Sequence, residues 1–293
     1  MKFRQVEKII RSPHAHWVGN GFRVKQYFPA KRDYFLERFS PFILLDYNEP
    51  YFFPASPFET GIGPHPHRGF ETVTFAFAGK IEHGDNQGNH GVIEPGDLQW
   101  MTAGRGILHK EFHETEFAKT NRVLHMIQLW VNLPAEFKWT EPIYQAITAD
   151  QMGRYQSMDL QFEVIVYAGE AFGIEGPAKT LSPMNIYKLD IKQGETVLLE
   201  EPADFNTGIL IISGKLQVNE EYEVMGTDFL LFANDGQPFA LTGEEAHSEV
   251  FVLSGQPLHE PVFKMGPFVM NTKEEAFQAH RDFQDGLFGD MNF

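Results

Sequence analysis

Two stretches decide how this chain folds: GIGPHPHRGFETV at residues 61–73 and GRGILHKEF at residues 104–112. Each contains two polar residues separated by one position, and these pairs are His65 with His67 and His109 with Glu111. Successive side chains on a β-strand point to opposite faces, so residues i and i+2 point the same way. If the two strands face each other inside a barrel, three imidazoles and one carboxylate meet at one point.

A single His-x-His pair is weak evidence for a site, because most such pairs lie on the surface or pack in a core. The pair His14-Ala15-His16 has the same spacing but no His-x-Glu partner close behind it, so we expect it in a surface loop or edge. Pro66 also favours a strand at the later pair, since proline biases the residue before it towards extended geometry. The combination of both pairs therefore indicates a metal site.

Imidazole and carboxylate donors together suit a first-row transition metal, and a site with open positions suggests non-haem iron and oxygen chemistry. We predict one mononuclear ion held by the four residues, with about two of six octahedral positions open. Fe(II) is favoured, while Mn, Ni, Cu and Zn suit the same donors. Glu111 is also the candidate catalytic residue, because a carboxylate that leaves the metal can accept a proton from a substrate hydroxyl.

Four runs of the chain resemble the pirin family of cupins: HPHRGFETV (65–73), PGDLQWMTAGRGILHKE (95–111), QLWVNLP (128–134) and GPFVMNT (266–272). The resemblance assigns the metal, usually iron, to His65, His67, His109 and Glu111. It implies an all-β fold of two stacked cupin (double-stranded β-helix) barrels, with the metal in the first. It further implies quercetin 2,3-dioxygenase activity in some members and regulation through a protein partner in others.

The chain departs from the general cupin pattern at two places. Glu59 stands where that pattern has a glycine before the first histidine, and the pattern takes its carboxylate from the position of Glu71. By strand alternation Glu71 shares a face with His65 and His67. We expect it either beside the metal or as a buried or rim carboxylate paired with Arg68 or Lys80.

A second copy of one strand pair indicates a domain duplication. FETVTFAFAGKI at residues 70–81 aligns with FNTGILIISGKL at residues 205–216. At this offset Glu200 and Pro202 replace the first two histidines, so we expect the second barrel to bind no metal. We predict a metal-binding domain at residues 1–140, and at residues 141–293 a diverged domain that ends in a helix. Thr272 and Glu275 form a capping-box pattern for that helix, followed by an apolar stripe of Ala276, Phe277, His280 and Phe283.

For several other residues the sequence leaves the structural role open or indicates it only weakly. The prolines at positions 50, 54 and 57 predict a loop. Its aromatic residues shape a pocket mouth or, more commonly, seal a barrel end; they are Tyr51, Phe52, Phe53 and Phe58. His83 and His90 flank a polar loop and are expected to be solvated. His125 is either a packed core residue or a neighbour of the site.

The bulk composition excludes several classes of protein. The 26 glycines and 18 prolines suit a β-rich chain with many turns. A net charge of −16, with no basic run longer than Lys31-Arg32, argues against direct nucleic-acid binding. The chain has no cysteine, so it forms no disulfide or thiolate metal site. It has no apolar run near the length of a membrane helix and no secretory signal pattern, so we expect a cytoplasmic protein without membrane contact.

The predicted metal site indicates oxygen chemistry, and the resemblance to pirins implies a metal-dependent dioxygenase that cleaves quercetin or a related flavonol with O₂. The alternative is a redox-sensing regulatory protein that uses the same metal and acts by binding a partner protein. The two functions differ in one requirement, because an enzyme needs a cavity that a flavonol can enter and a sensor does not.

Overall fold

The computed structural model describes residues 2–28 and 34–291, and most of its elements are strands. Up to residue 150 the elements are β1 (Val6–Ile10), β2 (His16–Val18), β3 (Phe22–Phe28), α1 (Tyr34–Arg38), β4 (Phe42–Phe53), β5 (Gly61–His67), β6 (Phe70–Ala78), β7 (Ile81–Asp85), β8 (His90–Ile93), β9 (Leu98–Thr102), β10 (Ile107–His113), α2 (Thr115–Ala118), β11 (Arg122–Asn132), a 3₁₀ helix (Ala135–Phe137) and β12 (Ile143–Ile147). The remaining elements are β13 (Gly153–Gln156), β14 (Phe162–Ala168), β15 (Glu170–Ala171), β16 (Ile174–Glu175), β17 (Met184–Lys192), β18 (Thr196–Leu199), β19 (Asn206–Ser213), β20 (Lys215–Val218), β21 (Tyr222–Met225), β22 (Phe229–Phe232), β23 (Phe239–Gly243), β24 (His247–Gly255), β25 (Phe263–Met265), β26 (Phe268–Met270) and α3 (Lys273–Gln284).

The chain forms two compact units, each made from two separate segments. The first unit contains residues 14–150 and 258–293, and the second contains residues 1–13 and 151–257. The N-terminal segment belongs to the second unit because β1 pairs with β22 there. The sequence suggested a single division after residue 140. Periodicity identifies strands but does not reveal that a terminal strand pairs with a distant one, so the exchanged segments were not predicted.

The first unit contains two principal sheets. One has seven strands in the order β12-β9-β6-β11-β4-β3-β2, and the other has four in the order β5-β10-β7-β8. The central strand β6 is buried on both faces from Phe70 to Ala76. The four-stranded sheet brings β5 and β10 side by side, although 39 residues of chain separate His67 from Ile107.

The second unit repeats this topology. Its seven-stranded sheet has the order β1-β22-β19-β24-β17-β14-β13, and its four-stranded sheet has the order β18-β23-β20-β21. The strand β19 occupies the place of β6, as the aligned sequences predict, and β18 and β23 occupy the places of β5 and β10. The core of this unit is aliphatic and aromatic throughout, for example at Leu189, Ile209 and Val252. The duplication predicted from sequence is thus repeated in the strand order.

Pro50 does not end a strand as the sequence predicted. The strand β4 continues through it to Phe53, because the register with β11 shifts at this point. Tyr51 pairs with Leu124 and Asn48 pairs with Met126, so the residues between lie in a β-bulge. Proline is tolerated at bulges because no ladder hydrogen bond is required there. The loop begins only after Phe53.

The predicted C-terminal helix is present as α3, and its capping box is formed by Thr272 and Glu275. Its packing face differs from the predicted stripe. Ala276 and Ala279 are buried, whereas Phe277 and Phe283 are 42% and 38% exposed. Small residues at this face let the helix backbone approach the strands closely. Among the described residues, no helix combines the length and apolar character needed to cross a membrane.

A buried lysine joins three segments of the first unit. The Nζ atom of Lys138 lies 2.8 Å from the carbonyl oxygen of Gly69, 2.7 Å from Oδ1 of Asn132 and 2.9 Å from the carbonyl oxygen of Val269. The residue is 1% exposed. Three acceptors match the three N–H groups of an ammonium, so this side chain fixes the turn after His67.

Replacing Lys138 with methionine should destabilise the first unit by about 3 kcal/mol, because three buried acceptors lose their donor. All four tryptophans, at positions 17, 100, 130 and 139, lie in this unit, so urea unfolding followed by tryptophan fluorescence measures it selectively. Lys119→Met is the control, since its ion pair with Glu116 is on the surface and should change stability by less than about 1 kcal/mol. An unchanged midpoint for Lys138→Met would contradict the assignment.

Candidate metal centre

Three histidines converge at the junction of β5 and β10. The two strands are antiparallel, and His109 is directly opposite His65 in the register. The ring centroid of His109 is 4.2 Å from that of His65 and 4.8 Å from that of His67. One ligand atom from each of the three residues lies within 4.8 Å of the others. The convergence that the two His-containing pairs predicted is therefore present for all three imidazoles.

The protonation of these imidazoles suits a metal. Burial lowers the pKa of His65, and it lowers the pKa of His67 and His109 well below the ordinary value. All three rings are thus neutral at pH 7 and have a lone pair to offer. His65 donates from Nδ1 to the carbonyl oxygen of Gly63 at 2.9 Å, which leaves its Nε2 as the donor atom for an ion.

Buried nitrogens without hydrogen-bond partners test whether these histidines suit a metal ion. Among the described residues, Nδ1 of His67 and both ring nitrogens of His109 are buried without a hydrogen-bond partner. Buried polar atoms in native proteins are nearly always satisfied, and leaving one unpaired costs about 1–3 kcal/mol. A transition metal accepts the lone pair of one nitrogen from each neutral imidazole, so Nδ1 of His67 and one ring nitrogen of His109 fit such an ion.

Glu111 lies two residues after His109, at a break in the strand register. His109 pairs with His65 but Glu111 pairs with Ile62, so the β5 strand contains a bulge between these positions. The Glu111 carboxylate is 6% exposed, and Oγ1 of Thr74 lies 3.4 Å from its Oε1. Burial raises the pKa of this carboxyl to about 7. Glu111 thus lies on β10, the same strand as His109. Among the described residues, the group of converging ligand atoms contains the three histidines and not this carboxylate, so its role as a fourth ligand stays a prediction.

A cavity of about 300 Å³ opens beside these residues. Its wall is mostly apolar, and its polar members are His65, His67, Glu111, Asp46 and Gln128. The apolar members include Phe22, Met126 and Trp130. Cavities of this size, with a few polar groups in an apolar wall, are typical small-molecule sites.

Glu71 is buried but does not line this cavity. Its Oε1 accepts a 2.7 Å hydrogen bond from Thr102, and not from Arg68 or Lys80 as one interpretation expected. Alternation of side chains does not continue from His67 to Glu71, because Gly69 adopts a φ of +85° between the two strands. Along β6 the residue that reaches Glu111 is Thr74, three positions later and on the opposite face. The prediction of Glu71 beside the metal was wrong.

His83 is the residue that the sequence analysis misplaced. It was expected to be solvated, yet it is 0% exposed and its ring centroid lies 5.3 Å from that of His109. Its Nδ1 contacts the side-chain amide of Gln99, and burial lowers its pKa to about 3. The sequence signal was that His83 follows Ile81 at strand spacing, so it belongs to β7 and not to the polar loop; the pairing of β7 with β10 brings it to His109.

The remaining histidines lie away from the cluster. His14 and His16 are exposed, as expected for a surface segment, and His90 is exposed and contacts Glu82. Nε2 of His125 is 3.0 Å from the hydroxyl of Tyr47, and its ring packs on Phe77, so it is a packed residue outside the cavity wall.

Comparisons with known proteins agree with this arrangement. The Pirin family model matches residues 21–131, and the model of the Pirin C-terminal cupin domain matches residues 186–289. A Pseudomonas aeruginosa protein with the provisional name quercetin 2,3-dioxygenase is 40% identical, over 97% of this chain and 98% of that protein. The crystal structure of a quercetin 2,3-dioxygenase from Acinetobacter baumannii is 40% identical and superposes with a TM-score of 0.94 over 99% of both chains.

A more distant structure shares the fold alone. The bacterial pirin YhhW of Escherichia coli, solved in complex with nickel(II), is 21% identical and covers 85% of this chain and 100% of its own. Its TM-score is 0.64. The family models, the strand order of both units and the buried histidine cluster lead to one conclusion. This chain belongs to the pirin family, and it has that family's two cupin-type domains and a short C-terminal helix.

Proposed function

We propose that this protein is a metal-dependent dioxygenase that opens the ring of quercetin or a related flavonol with O₂. The observation that carries the proposal is the cluster of three neutral imidazoles, two of which, His65 and His67, line a largely apolar cavity. A flat aromatic ligand fits an apolar wall that includes Phe22 and Trp130. The relatives named quercetin 2,3-dioxygenase support the same substrate class.

His65, His67, His109 and Glu111 are the proposed ligands, and Fe(II) is the favoured ion. Mn, Ni, Cu and Zn suit the same donors. A bound ion supplies Lewis acidity, which makes a chelating substrate hydroxyl more acidic, and open positions that align the substrate with O₂. In the net reaction flavonol and O₂ are consumed, and carbon monoxide and a ring-opened ester are released.

Glu111 is the proposed general base. Burial raises the pKa of its carboxyl to about 7, and a pKa near neutrality suits a group that accepts and releases a proton at neutral pH. It lines the cavity together with His65 and His67, so a hydroxyl bound there reaches its oxygens. The contact with Thr74 stabilises the carboxylate when it is charged.

The cavity favours an enzyme over the regulatory alternative. A redox-sensing protein needs the metal and a surface for its partner, but it needs no apolar cavity beside the ligands. Here the cavity shares its wall with two of the three histidines.

Replacing His67 with alanine should abolish both metal binding and flavonol turnover, because one of three converging donors is removed. The measurements are elemental analysis of the purified protein and O₂ consumption with quercetin after reconstitution with single metals. His14→Ala is the matched control, since it lies in a pair of the same spacing but is exposed and outside the site. Unchanged O₂ consumption in the His67→Ala protein would refute the scheme.

Metal affinity should depend on pH through Glu111. Burial raises the pKa of its carboxyl to about 7 in the metal-free protein. Below that pH the carboxyl is protonated, and it must lose the proton to bind an ion. The Kd for Mn(II), followed by the EPR signal of the free ion, should be constant above about pH 8 and rise by up to about tenfold per pH unit below pH 7.

Glu111→Gln is the control for this pH dependence. The glutamine does not titrate, and the imidazoles have pKa values below their ordinary range, so affinity in the variant should vary little between pH 6 and 8. Turnover should fall by about 10²-fold or more, since the proposed base is absent. The same pH slope in both proteins would exclude Glu111 as a ligand.

A further inference from the structure

An acidic residue without a role in metal binding also lines the cavity. Asp46 lies in β4, within the otherwise apolar and buried run from Phe42 to Tyr47. It is 8% exposed, and its wall position places it in the same cavity as His65 and Glu111. Burying a carboxylate in an apolar wall is unfavourable unless it has hydrogen-bond donors, so its presence here requires a partner.

Among the described residues, the protein provides one side-chain hydrogen-bond donor to Asp46. Nε2 of Gln26 donates to Oδ1 of Asp46 at 2.9 Å. Asp46 is also paired across the strands with Gln128, which lines the cavity as well. A carboxylate accepts about four hydrogen bonds, so Asp46 has capacity for a donor that enters the cavity.

The charge around Asp46 favours its ionised form. Burial raises its pKa to about 6, and the hydrogen bond from Gln26, followed by the charges of His16 and Lys264, opposes that rise. Lys264 is held with its Nζ 5.0 Å from the ring centroid of Trp130, another member of the wall. The ionised carboxylate accepts hydrogen bonds and donates none, so an unfilled oxygen of Asp46 is a site for a hydroxyl donor.

We propose that Asp46 determines substrate specificity by accepting a hydrogen bond from a phenolic hydroxyl that does not chelate the metal. This inference rests on the proposed function and adds the substrate class: a neutral polyphenol with at least one hydroxyl beyond the chelating pair. The carboxylate attracts a hydroxyl donor and repels an anionic ligand of the same shape, so it discriminates in both directions.

The test compares two flavonols in wild-type protein and in the Asp46→Asn variant. Quercetin has several hydroxyls, whereas 3-hydroxyflavone has the chelating one alone. Kd values are measured without O₂ on metal-loaded protein, by the shift in flavonol absorbance. The variant should bind quercetin about tenfold more weakly and 3-hydroxyflavone with unchanged affinity, because a hydrogen bond to a charged group is lost only for quercetin.

Two controls isolate this effect. Glu49→Gln removes an acid three positions along the same strand, where it pairs with Arg23 and Lys25 and not with the cavity, so both affinities should remain unchanged. Metal content should be the same in all three proteins. If the variant binds both flavonols more weakly by the same factor, or binds both as wild-type protein does, the role of Asp46 is overturned while the proposed function stands.

Failure of the function itself gives a different result, because wild-type protein that binds neither flavonol overturns both proposals. A second measurement needs no variant. In wild-type protein, flavonols that lack the ring hydroxyls one at a time should include one whose Kd is about tenfold higher than that of quercetin. A series without such a member also overturns the inference.

Discussion

The antiparallel pairing of β5 with β10 is the constraint on which the site depends. It places His109 opposite His65. Because side chains at positions i and i+2 of a strand share a face, His67 lies on the same side as His65. A slip of one residue in this register would turn the imidazoles of one strand to the other face and separate the cluster. The pairing of β10 with β7 on its other edge holds that register, and it brings His83 against His109.

The site lowers the stability of the metal-free protein. Neutral imidazoles with unpartnered nitrogens are buried together, and two carboxylates, Glu111 and Asp46, are desolvated nearby. Each of these groups costs stability in the metal-free protein. The first unit offsets that cost through a core of aromatic and aliphatic side chains and through buried hydrogen bonds such as those of Lys138. The second unit has the same strand order, and its main core cluster consists of apolar side chains.

Much of the site could be predicted because it depends on local geometry. The i, i+2 spacing, together with the assumption that the two strands face each other, predicted three converging histidines, and the aligned copies predicted the duplicated topology. The errors arose where local rules stop. Strand alternation did not extend across Gly69, so Glu71 was assigned to the wrong face. Pro50 lies in a bulge that only the register with β11 reveals. Asp46 and Gln128 were visible as polar residues inside apolar runs, but their shared cavity depends on cross-strand pairing that a single sequence does not specify.

The segmental make-up of the two units has a consequence for biosynthesis. The second unit takes its edge strand from the first thirteen residues and its other strands from residues 151–257, while the first unit waits for residues 258–293. During translation, the histidine-bearing segment therefore leaves the ribosome long before the lysine-bound strand near Val269 that completes its surroundings. The second unit has all its residues once position 257 has been made, whereas the first unit is complete only when residues 258–293 follow. A gene fragment cut near residue 150 therefore encodes an incomplete version of both.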